Sequence, residues 1–419
     1  MRPSTTRLRV VVTGLVAQHP CLGGVAWDYV QYPAGLAQLG HDVYYLEDSG
    51  EWPYRLDGDD DPESWIARDP SENVRHLAAV MEAAGLRDRW MYRFPIDGRW
   101  YGLPERQREE VLSSADLLIN VSGTLEHPEH YRRGPRLAYI DSDPVFTQAR
   151  LLAEPTSAFA QRVDAHDAFF SFGARIGEGP FATSHGWRPT LQPVVLSDWS
   201  PGPVARTVLT TVMSWTSYPP LRSQGLVLGQ KDMELRRLID LPRRSPLALE
   251  VALGSLHHAS WESAGDAGRG EGEAARSPAE ILRDAGWRVV DALAACATPE
   301  DYRAYIRVSA GELSVAKSGY VAGRSGWFSC RSACYLACGR PVIVQDTGFA
   351  PWPPAGLGVL AFDSPEGAVA ALEELAAHPG RHARAAREIA AEYFEAGRVL
   401  GALLDEAFAA PPRPVGAGA

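Results

Sequence analysis

The sequence predicts an α/β protein built from two Rossmann-like domains, and three observations predict it. A strand–loop–helix–strand pattern opens the chain at residues 8–15 and starts again at 207–213. A Pro-rich, turn-prone stretch, Ser-Asp-Trp-Ser-Pro-Gly-Pro-Val at 197–204, separates the two. A chain of 419 residues is also too long for one ordinary core and suits two domains.

Residues 8–15 are apolar on both faces, as in a buried parallel strand. The loop 17–24 follows, holding His19, Pro20 and the Gly23-Gly24 pair. Trp27, Val30, Ala34 and Ala37 then recur at helical spacing, with Pro33 expected to kink that helix or delay its start. Residues 43–46 form the second strand. The full G-x-G-x-x-G fingerprint is absent, which weakens a dinucleotide-dehydrogenase reading. Residues 73–84 are an amphipathic helix. The aromatic segment 87–101 (Trp90, Tyr92, Phe94, Trp100, Tyr101) reads either as a loop stacking on an acceptor or as a cover for the sheet. Strands at 116–121 and 136–140 come next, the second ending in Asp141-Ser142-Asp143. In Glu126-His127-Pro128-Glu129-His130, Pro128 interrupts the helix that would align both histidines, so a surface turn is expected over a metal site.

In the second half, residues 207–213 are a strand and Ser214-Trp215-Thr216-Ser217-Tyr218 its loop. A helix follows Lys231, and 247–253 is the next strand. Residues 261–278, poor in apolar side chains, read as a mobile insertion. Thr298-Pro299-Glu300 starts a helix, and 304–309 reads as a strand. Glu312 and Lys317 then precede the stretch that organises the chain, residues 320–349. This stretch holds a polar loop (323–326), a helix expected over 327–338, the stop Gly339 with Pro341 behind it, the strand 342–344, and Gln345-Asp346-Thr347-Gly348. A helix start leaves amides unpaired and carries positive dipole charge, so it can receive a phosphate. Ser325, Ser329 and Ser332 add hydroxyls there, and Arg324 and Arg331 add cations. The alternative is that a serine only caps the helix and both arginines are solvated. A last strand spans 357–362, and helices at 365–377 and 381–408 close the chain.

Net charge is −11 with no Lys/Arg-rich block, which argues against nucleic acid as the main ligand. Five unevenly placed cysteines are not a disulfide framework. Cys330, Cys334 and Cys338 would share one helix face, as packed small thiols rather than iron–sulfur ligands. The basic, then apolar, start of the chain reads as a first strand rather than a signal peptide, and no run is as long as a membrane span. A cytoplasmic protein is expected.

Cys338-Gly339-Arg340-Pro341-Val342 followed by Asp346-x-Gly348 resembles the donor-site signature of glycosyltransferases with the GT-B fold. Gly326-Trp327-x-Ser329 resembles the Gly-Trp-x-Ser of natural-product and plant members. Retaining members carry two glutamates seven residues apart in this block; here those positions are Gly326 and Cys334. The histidine that opens the plant-type motif is also missing. The resemblance implies two Rossmann-like domains facing across a cleft: an acceptor domain (1–200), a donor domain (201–385), a helix crossing back to the first domain (386–408) and a disordered tail (409–419). It implies transfer of a sugar from a UDP-, TDP- or GDP-sugar to a small-molecule acceptor, natural products included, with no metal and no other cofactor; a homodimer is allowed. Donor contacts are expected from Ser214, Trp215, Thr216, Trp287 (over the base), Glu312 (at the ribose), Lys317, Arg324, Ser325, Gly326, Trp327, Phe328, Ser329, Arg331, Ser332, Gln345, Asp346 and Thr347. The acceptor is expected near Gly23, Gly24, Trp27 and Asp143, with His19 or Asp141 as base. An Asp-x-Asp after a strand is also the metal signature of the other large glycosyltransferase fold, which lacks the C-terminal block. A GT-B nucleotide-sugar epimerase and a catalytically silent nucleotide-sugar-binding protein are the alternative readings.

Overall fold

The computed structural model describes residues 7–55, 62–132, 134–254 and 276–409. Most of the expected insertion 261–278 and of the expected tail 409–419 lies outside them. The chain divides into two compact units, residues 1–196 with 393–419, and residues 197–392.

Unit 1 carries a sheet of β1 (Arg9–Thr13), β2 (Asp42–Glu47), β3 (Trp90–Arg93), β4 (Trp100–Gly102), β5 (Leu117–Val121), β6 (Arg136–Asp141), β7 (Ala168–Ser171) and β8 (Arg188–Pro189). Their order is β4-β3-β2-β1-β5-β6-β7-β8, with only the β3–β4 pair antiparallel. The aromatic segment, expected as an acceptor loop or a cover for the sheet, instead supplies two of its strands. Trp90–Arg93 and Trp100–Gly102 pair as an edge hairpin, which buries Trp90 and Tyr92 in the sheet. The first helix runs unbroken from Gly23 to Gln38 with Pro33 inside it. Its Gly35 lies so close to Ala396 and Leu400 that a Cβ there would clash with both. That close approach docks the C-terminal helix Ala396–Ala409 in unit 1. The expected single helix over 381–408 is two, Pro379–Ile389 and Ala396–Ala409, separated by a π-turn at Ala390–Phe394. In that break Val194 N–H donates to Phe394 O and Ala396 N–H to Val194 O, so backbone groups freed from the helix pair with a bridge instead.

Unit 2 carries β9 (Val208–Ser214), a small hairpin of β10 (Leu221–Ser223) and β11 (Leu226–Leu228), then β12 (Ala248–Gly254), β13 (Arg288–Asp291), β14 (Gly311–Ser314), β15 (Val342–Gln345) and β16 (Val359–Phe362). The six-stranded sheet runs β13-β12-β9-β14-β15-β16, all parallel. Numbered from its own first strand, that is the doubly wound order 3-2-1-4-5-6. The expected strand at 304–309 is instead the end of helix Pro299–Val308, in which Tyr302, Tyr305 and Ile306 share the buried face. The strand begins at Gly311, which turns Glu312 from a loop residue into a core one.

Candidate functional site

In a doubly wound sheet, ligands bind outside the carboxyl ends of the strands where the winding reverses. In unit 2 that point lies between β9 and β14. β9 ends at Ser214, and the loop beyond it, Thr216 to Tyr218, is exposed while Trp215 turns inward. On the β14 side, Lys317 reaches across to donate from Nζ to Tyr218 Oη at 2.9 Å. The same ammonium lies 4.8 Å from the Tyr218 ring centroid and 5.5 Å from that of Tyr320. Next to it, Tyr320 stacks on Trp327 at 4.4 Å. Lys317 and Tyr218 thus meet across the switch point, with Tyr320 and Trp327 stacked next to the ammonium, while Ser214 and Thr216 are exposed at the end of β9. Tyr218 and Tyr320 were not singled out, although both lie in the segments that were.

The block 320–349 folds more tightly than expected. The helix starts at Cys330 with Ser329 at its N-cap, not at Trp327. Ahead of it the chain makes a turn with Arg324 at φ 47° and Gly326 at φ 77°. Gly326 N–H donates to Thr347 O at 2.8 Å, and Thr347 Oγ1 donates to Trp327 O at 2.6 Å, so Thr347 clasps the turn from inside. Ser325 is buried and its Oγ accepts from Trp327 N–H at 3.3 Å. Phe328 packs edge-on against Phe349. Ser332 Oγ is buried without a hydrogen-bond partner and faces a cavity of about 10 Å³ lined also by Ser314, Ser329 and Gln345. That space suits about one water and no diphosphate.

Several expected ligands are withdrawn from solvent by their own partners. Arg331 Nε lies 2.5 Å from Glu312 Oε1, and its other nitrogens donate to Val212 O at 2.6 Å and Ser314 Oγ at 2.8 Å. Glu312 is 0% exposed and Arg331 9%. Burial pulls the Arg331 pKa down, but the adjoining carboxylate more than offsets this and holds it above its ordinary value. The pair is a strut across β9, β14 and the helix start. Neither member is available to a ribose or a leaving group. Trp287 is in the core with its indole N–H on Ile239 O at 2.9 Å, so it cannot cover a base, and Trp215 is buried in the same cluster. Gln345 is held at both ends, by Ala316 N–H and by Glu234. Asp346 accepts from Gly348 N–H at 2.7 Å and from the exposed Arg324 at 2.9 Å.

In unit 1, the loop after β1 is pinned by Glu47, whose carboxylate accepts from Ala17 N–H at 2.8 Å, Gln18 N–H at 2.7 Å and Tyr45 Oη at 2.7 Å. Burial pushes Glu47 up to about 7 against those donors. A carboxylate at the end of the second strand holds a ribose in dinucleotide-binding folds. Here it is consumed internally. The pinned loop presents His19, stacked on Tyr54 at 5.1 Å. Burial pulls His19 down to about 4, so its imidazole is neutral at pH 7. Gly23 and Gly24 open the helix that follows, while Trp27 is buried in it.

Asp141, the other expected base, is 1% exposed and saturated. Its oxygens accept from Asp143 N–H at 3.0 Å, Thr147 Oγ1 at 2.7 Å, Gln148 Nε2 at 2.9 Å and Ser171 Oγ at 2.8 Å. Burial raises its pKa and the side-chain bonds work against the rise. It shapes the turn after β6, where Val145 is held at φ 74°, rather than serving an acceptor. Asp143 remains partly exposed beside it.

No protein-family model matches the chain, and no curated protein matches it. Solved structures do. The fold is similar to an α-glucosyltransferase solved with UDP and a 13-mer DNA (TM-score 0.55, 12% identity, 96% of this chain and 100% of that one). It is similar to HepE of Anabaena with UDP and glucose (TM-score 0.52, 9% identity, 96% and 100%). It is also similar to the catalytic domain of starch synthase IV of Arabidopsis thaliana with ADP and acarbose (TM-score 0.51, 10% identity, 96% and 99%). The chain has the GT-B glycosyltransferase fold. Among the described residues no helix is long and apolar enough to cross a membrane.

Proposed function

We propose that the chain is a metal-independent hexosyltransferase that moves a sugar from a nucleoside-diphosphate sugar to a small-molecule, natural-product-like acceptor. The observation that carries the proposal is the switch point of unit 2, where β9 ends at Ser214 and Lys317, beyond β14, is anchored on Tyr218, in a fold shared with UDP- and ADP-bound glycosyltransferases. Breaking the glycosidic bond leaves a diphosphate that gains negative charge in the transition state. Lys317 takes that charge. Arg331 contributes indirectly, by fixing the strand ends and the helix start.

The acceptor is carried by unit 1 at the loop after β1, near Gly23, Gly24 and Asp143. His19 is the base of the direct-displacement version: its neutral imidazole can take the proton of the attacking hydroxyl as the bond to the anomeric carbon forms. Asp141 is dropped from this role because its lone pairs are already occupied.

The test is thermal shift and calorimetry with UDP, TDP, GDP and ADP and their sugars, followed by mass spectrometry with an acceptor panel. A rise in melting temperature with one nucleoside diphosphate, lost in Lys317→Met, is expected. No shift with any of them at millimolar concentration overturns the proposal. Binding followed by sugar isomerisation, with no acceptor modified, overturns the transferase assignment.

A further inference from the structure

The turn that follows β5 has no part in the donor chemistry, yet it gathers metal-ligating side chains. Pro128–Tyr131 form one turn of 3₁₀ helix. With three residues per turn, side chains three apart eclipse. Pro128 opens the turn at its first position, with His127 just ahead of it as N-cap and His130 inside it, and the two rings still come close. The His127 and His130 rings lie 4.8 Å apart between centroids, tilted 30°. Glu129 sits between them, with Oε1 3.1 Å from His127 Nδ1 and 3.9 Å from His130 Nε2. Glu126 Oε2 is 3.8 Å from His127 Nε2. One ligand atom each from His127, Glu129 and His130 fit within 4.8 Å of one another, the one such His/Cys/Asp/Glu group among the described residues.

We propose that this turn is a binding site for a zinc-class divalent cation, held by His127, His130 and Glu129, with Glu126 the nearest further carboxylate and water completing the shell. Two imidazoles with a carboxylate suit Zn²⁺ rather than Mg²⁺ or Ca²⁺, which take oxygen ligands. Tetrahedral bonds of 2.0–2.1 Å put ligand atoms roughly 3.4 Å apart. The three ligand atoms lie within 4.8 Å of one another, wider than that spacing, so binding has to draw them in; Glu129 and His130 are exposed and His127 half-buried. The backbone is already fixed at both ends: Glu126 N–H donates to Asp48 O at 3.2 Å, and Tyr131 Oη donates to Asp48 Oδ2 at 2.6 Å. Leu125, 2% exposed, anchors the approach. The site is independent of the donor proposal, because it lies in unit 1 and shares no residue with it.

The experiment uses the full chain, stripped of metal by chelator, and titrates it calorimetrically with Zn²⁺, with Co²⁺ as an optical probe. Expected are one equivalent of Zn²⁺ bound and a Co²⁺ visible spectrum of nitrogen and oxygen ligation. Glu129→Gln should weaken Zn²⁺ by about tenfold or more, a loss comparable to that for removing a supporting ligand contact. The double variant His127→Ala, His130→Ala should abolish the tight equivalent while its metal-free melting temperature stays that of the parent, since neither side chain is buried. Unchanged Zn²⁺ affinity in the double variant overturns the proposal. A sulfur-to-cobalt charge-transfer band, which would mean that a cysteine holds the ion, overturns it as well.

Discussion

Arg331→Met separates the two roles open to that residue. The side chain makes a buried ion pair with Glu312 and donates to Val212 O and Ser314 Oγ. Methionine keeps the bulk but leaves Glu312, 0% exposed, as an uncompensated carboxylate. Removing one partner of a buried pair costs about 3–5 kcal/mol. For a unit of roughly 200 residues each kcal/mol moves the melting temperature by about 2–4 °C, so a fall on the order of 10 °C is expected. Thermal and urea unfolding measure it. A second substitution, Glu312→Leu, should recover most of the loss, because a hydrophobic pair of similar volume replaces a buried ion pair at little cost. Nucleotide affinity of the folded double variant should stay within a few-fold of the parent. If Arg331→Met instead leaves the melting temperature within about 2 °C and abolishes UDP binding, the guanidinium faces the ligand and the strut argument is wrong.

Lys317→Met should do the reverse: it should leave stability within about 1 kcal/mol and weaken UDP by about tenfold or more, the effect of one charge-assisted hydrogen bond. Equal UDP affinity in calorimetry would remove Lys317 from the site. Asp141→Asn turns an acceptor into a donor facing Gln148 and Ser171 and should cost about 1–3 kcal/mol in urea unfolding. A variant of parental stability that had lost turnover would restore Asp141 as a base. Burial lowers His19, His76 and His166 each to about 4. The unfolded chain then binds more protons than the folded one between about 6.5 and 4, so their contribution to stability is whole above 6.5 and drains as pH falls through 4. Glu47, raised to about 7, acts in the opposite sense below that pH. Asp141 and Asp198, also raised by burial, act with Glu47, and His41, also lowered, acts with the other histidines. With the three strongly lowered histidines dominant, the urea midpoint should be lower at pH 5 than at pH 7, and a higher midpoint at pH 5 would contradict these burial assignments.

Local chemistry decided where elements lie and stop. Apolar runs at 10–12 and 342–344 mark buried parallel strands, and the Gly339–Pro341 pair ends a helix. The restart of the pattern near residue 207 and the signature around Cys338 were enough to indicate the fold class. Periodicity failed where one residue carries two messages. The aliphatic and aromatic run at 302–308 reads as strand or helix until its packing partners are known, and Pro33 breaks an isolated helix but not one buried along its length. What the functional side chains do was decided by tertiary structure. Arg331 and Lys317 are both cations beside the same loop. One is consumed by Glu312, nineteen residues earlier in sequence, and the other is held at the surface by Tyr218, ninety-nine residues away. Charge and spacing nominate a residue. Only the fold decides whether its hydrogen bonds are already spent, because those partners arrive from distant strands through sheet order.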